Sequence, residues 1–292
     1  MDKEKIILSL LGSIILIVIL CSIGIICQTD ISPNMENEAN IVVHISYDDV
    51  YLVLNELIEN QETYSSIFQC HEFAALKSLH EQYGAIFTLY VYEQVGDYSI
   101  SNVPVKYKDE FNANSDWLKF GYHGISPEYP IFNESISLEQ FITSYNSVRN
   151  AVYSFAGEDS YSNVIRLSYF SGTNNMISYL QDQGISTLLC ADDGRISYNL
   201  NENESKLLSL NGVYYKNNMT YLKTDMRYEN CKGIIIRLTS QSIETPLVIF
   251  THEWTFDETY SDVAKSIYWM KNHNYIFSDL NDISLSGELN YG

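Results

Sequence analysis

From Ile41 onward, short apolar runs alternate with stretches whose apolar residues recur at helical spacing, and this alternation restricts the fold more than any other feature. Ile41 to Tyr47 is one such run; Val50, Val53, Leu54, Leu57 and Ile58 then share a helical face, with Asp48 or Asp49 placed to cap that helix. A second helical face, Phe73, Leu76, Leu79 and Tyr83, ends at Gly84 and is followed by the run Ala85 to Tyr92. The pattern repeats through a strand from Leu118 to His123, a helix carrying Leu138, Phe141, Ile142, Tyr145 and Val148, and a strand from Val164 to Leu167. A helix around Met176, Ile177 and Leu180 stops at Gly184, before the strand Ile185 to Cys190. Further strands are expected at Ile234 to Leu238 and Leu247 to Thr251, then a last amphipathic helix through Val263, Ile267 and Met270. Asp193 to Cys231 is less regular and reads as an insertion or hairpins. Repeated βα units imply a largely parallel sheet covered by helices, and roughly 250 residues suffice for one (β/α) barrel or two smaller domains.

The first forty residues follow different rules. Ile6 to Cys27 is an uncharged apolar run that meets the ~20-residue length of a membrane-spanning helix. Lys3 and Lys5 precede it and Asp30, Glu36 and Glu38 follow it, so the positive-inside bias predicts a cytoplasmic N-terminus. The expected organisation is therefore residues 1–5 in the cytoplasm, 6–27 as a single transmembrane signal anchor, 28–40 as a polar stalk and 41–292 as an extracytoplasmic domain at the cell membrane. Secretion after cleavage of the anchor is the alternative. Cys70, Cys190 and Cys231 are odd in number and lack metal-type spacing, so neither a disulfide framework nor a cysteine metal site is expected. The net charge of −20 disfavours nucleic acid, anionic lipid and acidic polysaccharide as main partners, leaving a neutral or basic glycan as the better fit. Oligomeric state is not legible in the sequence.

In a parallel α/β fold, and above all in a barrel, chemistry collects where strands end. Polar clusters stand at five expected strand ends: Asp48 and Asp49, His123, Arg166 and Tyr169, Asp192 and Asp193, and His252 with Glu253. Alone, Asp48-Asp49 reads equally as a helix cap, and either histidine as a hydrogen-bonded loop residue. Adjacent carboxylates can also divide labour, one binding a cation and the other accepting a proton. Arg166 lies in an apolar strand and needs an acidic partner, for which Asp192 or Asp193 is the natural choice. His44, His71, His80 and His273 lack partners at ligand spacing and read as structural or solvated.

The order of these clusters resembles the polysaccharide deacetylase (NodB-homology) family, carbohydrate esterase family 4, over about residues 41 to 275. Ser46-Tyr47-Asp48-Asp49 is similar to its Thr-Phe-Asp-Asp motif, Arg166-Leu167-Ser168-Tyr169-Phe170 to its Arg-x-Pro-Tyr motif, and Phe250-Thr251-His252 to its Leu-x-His motif. The resemblance implies a distorted (β/α) barrel that removes N-acetyl groups from a hexosamine-containing cell-surface polymer, with a divalent metal ion, zinc, as cofactor. It makes Asp48 the general base, Asp49 and His123 metal ligands, and His252 the general acid. Arg166 orients the base and contacts Asp193; the Tyr169 backbone N–H helps hold the oxyanion, Phe250 lines the acetyl pocket, and Trp254 with Tyr169 offers rings for sugar stacking. The chain departs from the second motif, His-Ser/Thr-x-x-His: in His123-Gly124-Ile125-Ser126-Pro127 the second ligand is Pro127. Three explanations stand open: Glu128 replaces it through a shifted loop, His252 is recruited, or the site is degraded. With degradation, the alternative function is a glycan-binding module on the same fold; a hydrolase of another linkage is a third reading.

Overall fold

The computed structural model describes residues 41–129, 132, 135–231, 233–240 and 246–281. The expected anchor and stalk lie outside the described residues; among those described, no helix is long and apolar enough to cross a membrane.

In chain order the strands are β1 (Val42–Val50), β2 (Phe87–Tyr92), β3 (Gln94–Val95), β4 (Tyr98–Ser99), β5 (Leu118–Gly124), β6 (Val164–Ile165), β7 (Thr187–Leu189), β8 (Val213–Lys216), β9 (Met219–Leu222), β10 (Met226–Arg227), β11 (Leu247–His252) and β12 (Ile276–Phe277). The helices are α1 (Leu52–Glu59), α2 (His71–Tyr83), α3 (Lys108–Asn112), α4 (Leu138–Phe155), α5 (Asn174–Asp182), α6 (Glu202–Asn211), α7 (Ile234–Ser240) and α8 (Phe256–Asn272). The main sheet runs β10-β11-β1-β2-β5, with β12 also on β1, and every pairing in it is parallel. A second sheet, β6-β7-β9-β8, is parallel except for the β8–β9 hairpin. That hairpin turns through Asn217 and Asn218, both at positive φ, as a two-residue turn between right-twisted strands requires.

Of the expected distorted (β/α) barrel, the mostly parallel α/β architecture is seen, as two sheets with no continuous ladder joining them among the described residues. They meet at one bridge, Phe120 with Tyr161, and through residues 223–225, which lead from β9 into β10. The α/β alternation itself stands. Ile234 to Leu238, expected as a strand, is the helix α7, in which Ile234 and Leu238 are buried four residues apart while Ile236 is exposed. Burial at one-turn spacing outweighs the β-preference of an isoleucine run.

Alternation along β1 positions the site. Val43, Ile45 and Tyr47 pack into the large core with Leu54 and Leu57 of α1, Phe73 of α2 and Val263 and Ile267 of α8. Each such side chain contributes about 1.5–3 kcal/mol by leaving water. With a period of two, His44, Ser46 and Asp48 then point to the opposite face, and all three are buried. That face also holds the small apolar cluster of Tyr90, Val164, Leu189, Leu222 and Val248, drawn from both sheets.

Candidate active site

Arg166 follows β6 and reaches across this inner face. It is 0% exposed, and its Nη1 donates to Asp48 Oδ1 at 3.1 Å and to Ser46 Oγ at 2.9 Å, while Nη2 donates to Thr224 Oγ1 at 3.1 Å. The guanidinium also lies 4.3 Å from the Phe250 ring centroid. The expected partner was Asp192 or Asp193, and this is corrected: Asp193 pairs with Arg195 at the surface, and Asp192 with Arg227 at 2.6 Å. A carboxylate on the same inner face, fixed by strand alternation, outcompetes one on the loop after β7. Asp193 therefore has no part in orienting the base, and Asp48 is both the candidate base and the partner of the arginine.

Asp49 ends the regular part of β1 with φ 59°, at the point where the register with β2 slips between Tyr47 and Val50. The irregularity turns its carboxylate toward the mouth of the sheet. Oδ1 faces His123 Nε2 at 3.1 Å and accepts from the Tyr92 hydroxyl at 2.8 Å; Oδ2 accepts from the Trp254 indole N–H at 3.2 Å and lies 4.0 Å from His252 Nε2. Burial pushes the Asp49 carboxyl up, but the hydrogen bond and charge of His123, the charge of His252 and the Tyr92 hydroxyl outweigh it and hold the group well below the usual carboxylate range.

His252, the last residue of β11, lies beside Asp48 in the β1–β11 register. Its Nδ1 is 3.0 Å from Glu229 Oε1, which also accepts from the His252 backbone N–H at 2.6 Å and from the Thr251 and Thr255 hydroxyls. For Glu229, burial favours the neutral form, yet the hydrogen bonds from His252 bring its pKa down to about 2. As an ionised acceptor, Glu229 fixes the proton of His252 on Nδ1 and leaves Nε2 for the cleft. Burial lowers the affinity of His252 for a second proton, but the Glu229 bond and the Asp48 and Asp49 charges override it, so its pKa is raised.

The neighbouring Glu253 does what Asp48 and Asp49 were expected to do. Its carboxylate accepts from the backbone N–H groups of Tyr51, Leu52 and Val53 at 2.8, 2.7 and 2.9 Å, capping α1 from 202 residues away. The N-cap residue itself, Tyr51, supplies no side-chain cap. Burial pushes Glu253 up to about 7 against those three donors.

Asp48, Asp49, His123, Ser168, Tyr169, Phe170, Arg195, Arg227, Phe250, His252 and Trp254 thus line one cleft of about 290 Å³. Tyr169 (56% exposed) and Trp254 (61% exposed) stand at its rim, and Trp254 stacks on His252 with ring centroids 5.1 Å apart. Tyr169 and Phe170 both have φ 53°, a strained turn that presents the backbone after Arg166 to the cleft. The structure brings together eight of the nine site residues named from the sequence, and excludes Asp193. Glu229 and Tyr92 were missed. Glu229 follows a two-residue strand with no readable periodicity, whereas Tyr92 closes a strand whose end had been assigned no chemistry.

A divalent cation has two donors here. His123 Nδ1 lies 2.7 Å from the Arg166 carbonyl, which can only accept, so the Nδ1 proton is spent there. Nε2 and Asp49 Oδ1 then oppose one another as two lone-pair atoms at 3.1 Å, and a proton or a cation must lie between them. This pair fits a metal ion. Among the described residues, however, no group of three or more His, Cys, Asp or Glu side chains has the geometry to hold one. Glu128 is exposed, is turned to Ser126 and does not line the cleft. His252 is engaged by Glu229.

No family model matches the sequence, and no curated protein matches it. Solved structures do resemble it. With its parallel sheets and polar cleft at their strand ends, the chain aligns with the Bc1960 peptidoglycan N-acetylglucosamine deacetylase at a TM-score of 0.50 and 12% identity, covering 83% of this chain and 87% of that one. The Xyl-CE4 domain of a multidomain xylanase from the Trinervitermes trinervoides hindgut metagenome aligns at 0.47 and 11% identity, covering 82% and 87%. A family 4 pseudoenzyme from Bacillus anthracis aligns at 0.38 and 7% identity, covering 82% and 64%. The chain's mostly parallel α/β fold is like that of the Bc1960 deacetylase.

Proposed function

We propose that the protein is a divergent family 4 carbohydrate esterase that hydrolyses N-acetyl groups on a hexosamine-containing surface polymer. The observation that carries this reading is the convergence of Asp48, Asp49, His123 and His252, from three strand ends, on one cleft backed by a buried arginine. Asp49 and His123 would hold a divalent cation, zinc in our reading, which when bound supplies a Lewis acid for the acyl carbonyl. The chain's own groups account for the proton movements. Asp48, oriented by Arg166, accepts the proton of the attacking water as its oxygen bonds to the acyl carbon. The N–H of Tyr169 on the strained turn faces the developing oxyanion. His252 delivers a proton from Nε2 to the departing nitrogen as the C–N bond breaks, giving free amine and acetate. Phe250 and Phe170 enclose the acetyl methyl, and the rim rings of Tyr169 and Trp254 stack on sugar faces.

A specific observation favours a second reading. Pro127 replaces a ligand, and both Asp49 oxygens already receive protein donors, as in a cleft that binds a glycan without cleaving it. One experiment separates the two: acetate release from N-acetylglucosamine oligomers by the zinc-loaded chain, alongside binding of the same oligomers. Release that disappears in Asp48→Asn supports hydrolysis; binding with no release supports the module. The same proposal puts the domain outside the cytoplasmic membrane, held by Ile6 to Cys27, so protease added to intact cells should shave it off. Full protection until lysis would reverse that placement.

A further inference from the structure

We infer that Tyr92 is the third protein ligand of this cation, its phenolic oxygen standing in for the histidine that Pro127 displaces. The inference rests on the reading that a divalent cation binds at Asp49 and His123.

The backbone is built to bring Tyr92 there. Along β2 and β5 the register pairs Val91 with Tyr122 but Tyr92 with Gly124, so an extra residue on β5 re-aims the last side chain of β2. The Tyr92 ring then lies over Gly124, where an added Cβ would stand 3.2 Å from its Cε1. It is 2% exposed and edge-on to His123, with ring centroids 5.1 Å apart. Asp49 Oδ1 thus has two close neighbours, Tyr92 Oη at 2.8 Å and His123 Nε2 at 3.1 Å. Ligand atoms that share a tetrahedral cation, each bonded at about 2.0–2.2 Å, stand roughly 3.3–3.6 Å from one another, so these separations need widen by only a few tenths of an ångström. Without a cation, the phenol proton bridges to Asp49. The Ser168 hydroxyl, 3.2 Å from Tyr92 Oη, supplies a second acceptor. Turning the proton to Ser168 Oγ frees an oxygen lone pair for the cation; no bond to carbon changes, and the tyrosine stays neutral.

Loss of the Tyr92–Asp49 hydrogen bond could by itself weaken a metal site about 10- to 100-fold, so affinity alone does not separate a ligand from an outer support. The test therefore uses two probes on the full chain, stripped with chelator. Zinc chloride, followed by calorimetry, should bind at one equivalent to the wild type and not to Asp49→Ala or His123→Ala, with Tyr92→Phe weakened about tenfold or more. Ferric iron then reports the ligand directly, because tyrosinate bound to iron(III) gives a visible charge-transfer band. On that hard, acidic ion the phenol releases its proton to solvent. The band should appear in the wild type and vanish in Tyr92→Phe. A wild type that takes up zinc and iron at one site yet stays colourless would overturn the assignment while leaving the cation reading intact. A wild type that binds neither ion would remove both. The colour test needs only the wild type, so a Tyr92→Phe chain that fails to fold does not block it.

Discussion

Replacing Arg166 by leucine is the most informative perturbation, because the partner it leaves behind is defined by the structure. Arg166 is fully buried, and its Asp48 partner has only 3% of its side chain exposed. Removing the cation strands the carboxylate on the inner face, and the loss of one member of a buried pair costs about 3–5 kcal/mol. For a domain of this size each kcal/mol moves the melting midpoint by roughly 2–4 °C, which gives a drop of about 6–20 °C. Leucine fills part of the space against Phe250, so the charge accounts for most of the loss. A double-mutant cycle isolates it: Arg166→Leu with Asp48→Leu leaves neither charge stranded and should recover ~2 kcal/mol or more relative to the sum of the single changes. Arg166→Leu with Asp193→Ala should be additive within about 0.5 kcal/mol. The assay is urea unfolding followed by circular dichroism in chelator, so that no metal contributes. An additive cycle with Asp48, or strong coupling with Asp193, would refute the pairing.

Asp48→Asn should retain zinc in calorimetry while acetate release falls by ~10²-fold or more, the usual weight of a general base. Glu229→Gln removes the charge that raises the pKa of His252, so the alkaline limb of the pH–rate profile, where the acid loses its proton, should shift to lower pH; an unmoved limb would exclude His252 as the acid. Glu253 binds its proton more tightly folded, at about 7, than a free glutamate does. The folded state therefore holds more protons between about pH 4.5 and 7, and the contribution is full below that window and lost as pH rises through it. Glu253→Gln should flatten this part of the stability–pH curve, checked by melting at several pH values.

Most strand ends could be read from the sequence because a parallel α/β chain signals them twice, by the end of an apolar run and by the polar residues just after it. Asp48, Asp49, His123 and His252 were found in this way. The pairing of Arg166 was not, because it depends on which face of β1 each residue occupies and on how β6 lies across it, neither of which is local. Ser46 and Thr224 complete the arginine's hydrogen bonds from β1 and the β9–β10 link, with nothing in their own segments to mark them. The cap on α1 was misread for the same reason: Asp48 and Asp49 have the right chemistry and position, but Glu253 reaches the same N–H groups from across the sheet. At Ile234 to Leu238, composition suggested a strand while burial at one-turn spacing imposed a helix. The repeated βα units signalled a parallel sheet, but whether its edges pair is encoded in no single segment.

Residues 252–254 perform three tasks in succession: His252 beside Asp49, Glu253 on α1, and the Trp254 indole on Asp49. All three act on the opening segment of the domain. During synthesis, β1 thus emerges long before the residues that complete its cleft, and α1 must wait for its cap until β11 arrives. Loop closure over such a separation is slow, which makes this docking a late event in folding. A nascent or C-terminally truncated chain lacking β11 has the candidate base and both members of the Asp49–His123 pair but lacks His252. Assembly of the site therefore waits on the arrival of β11.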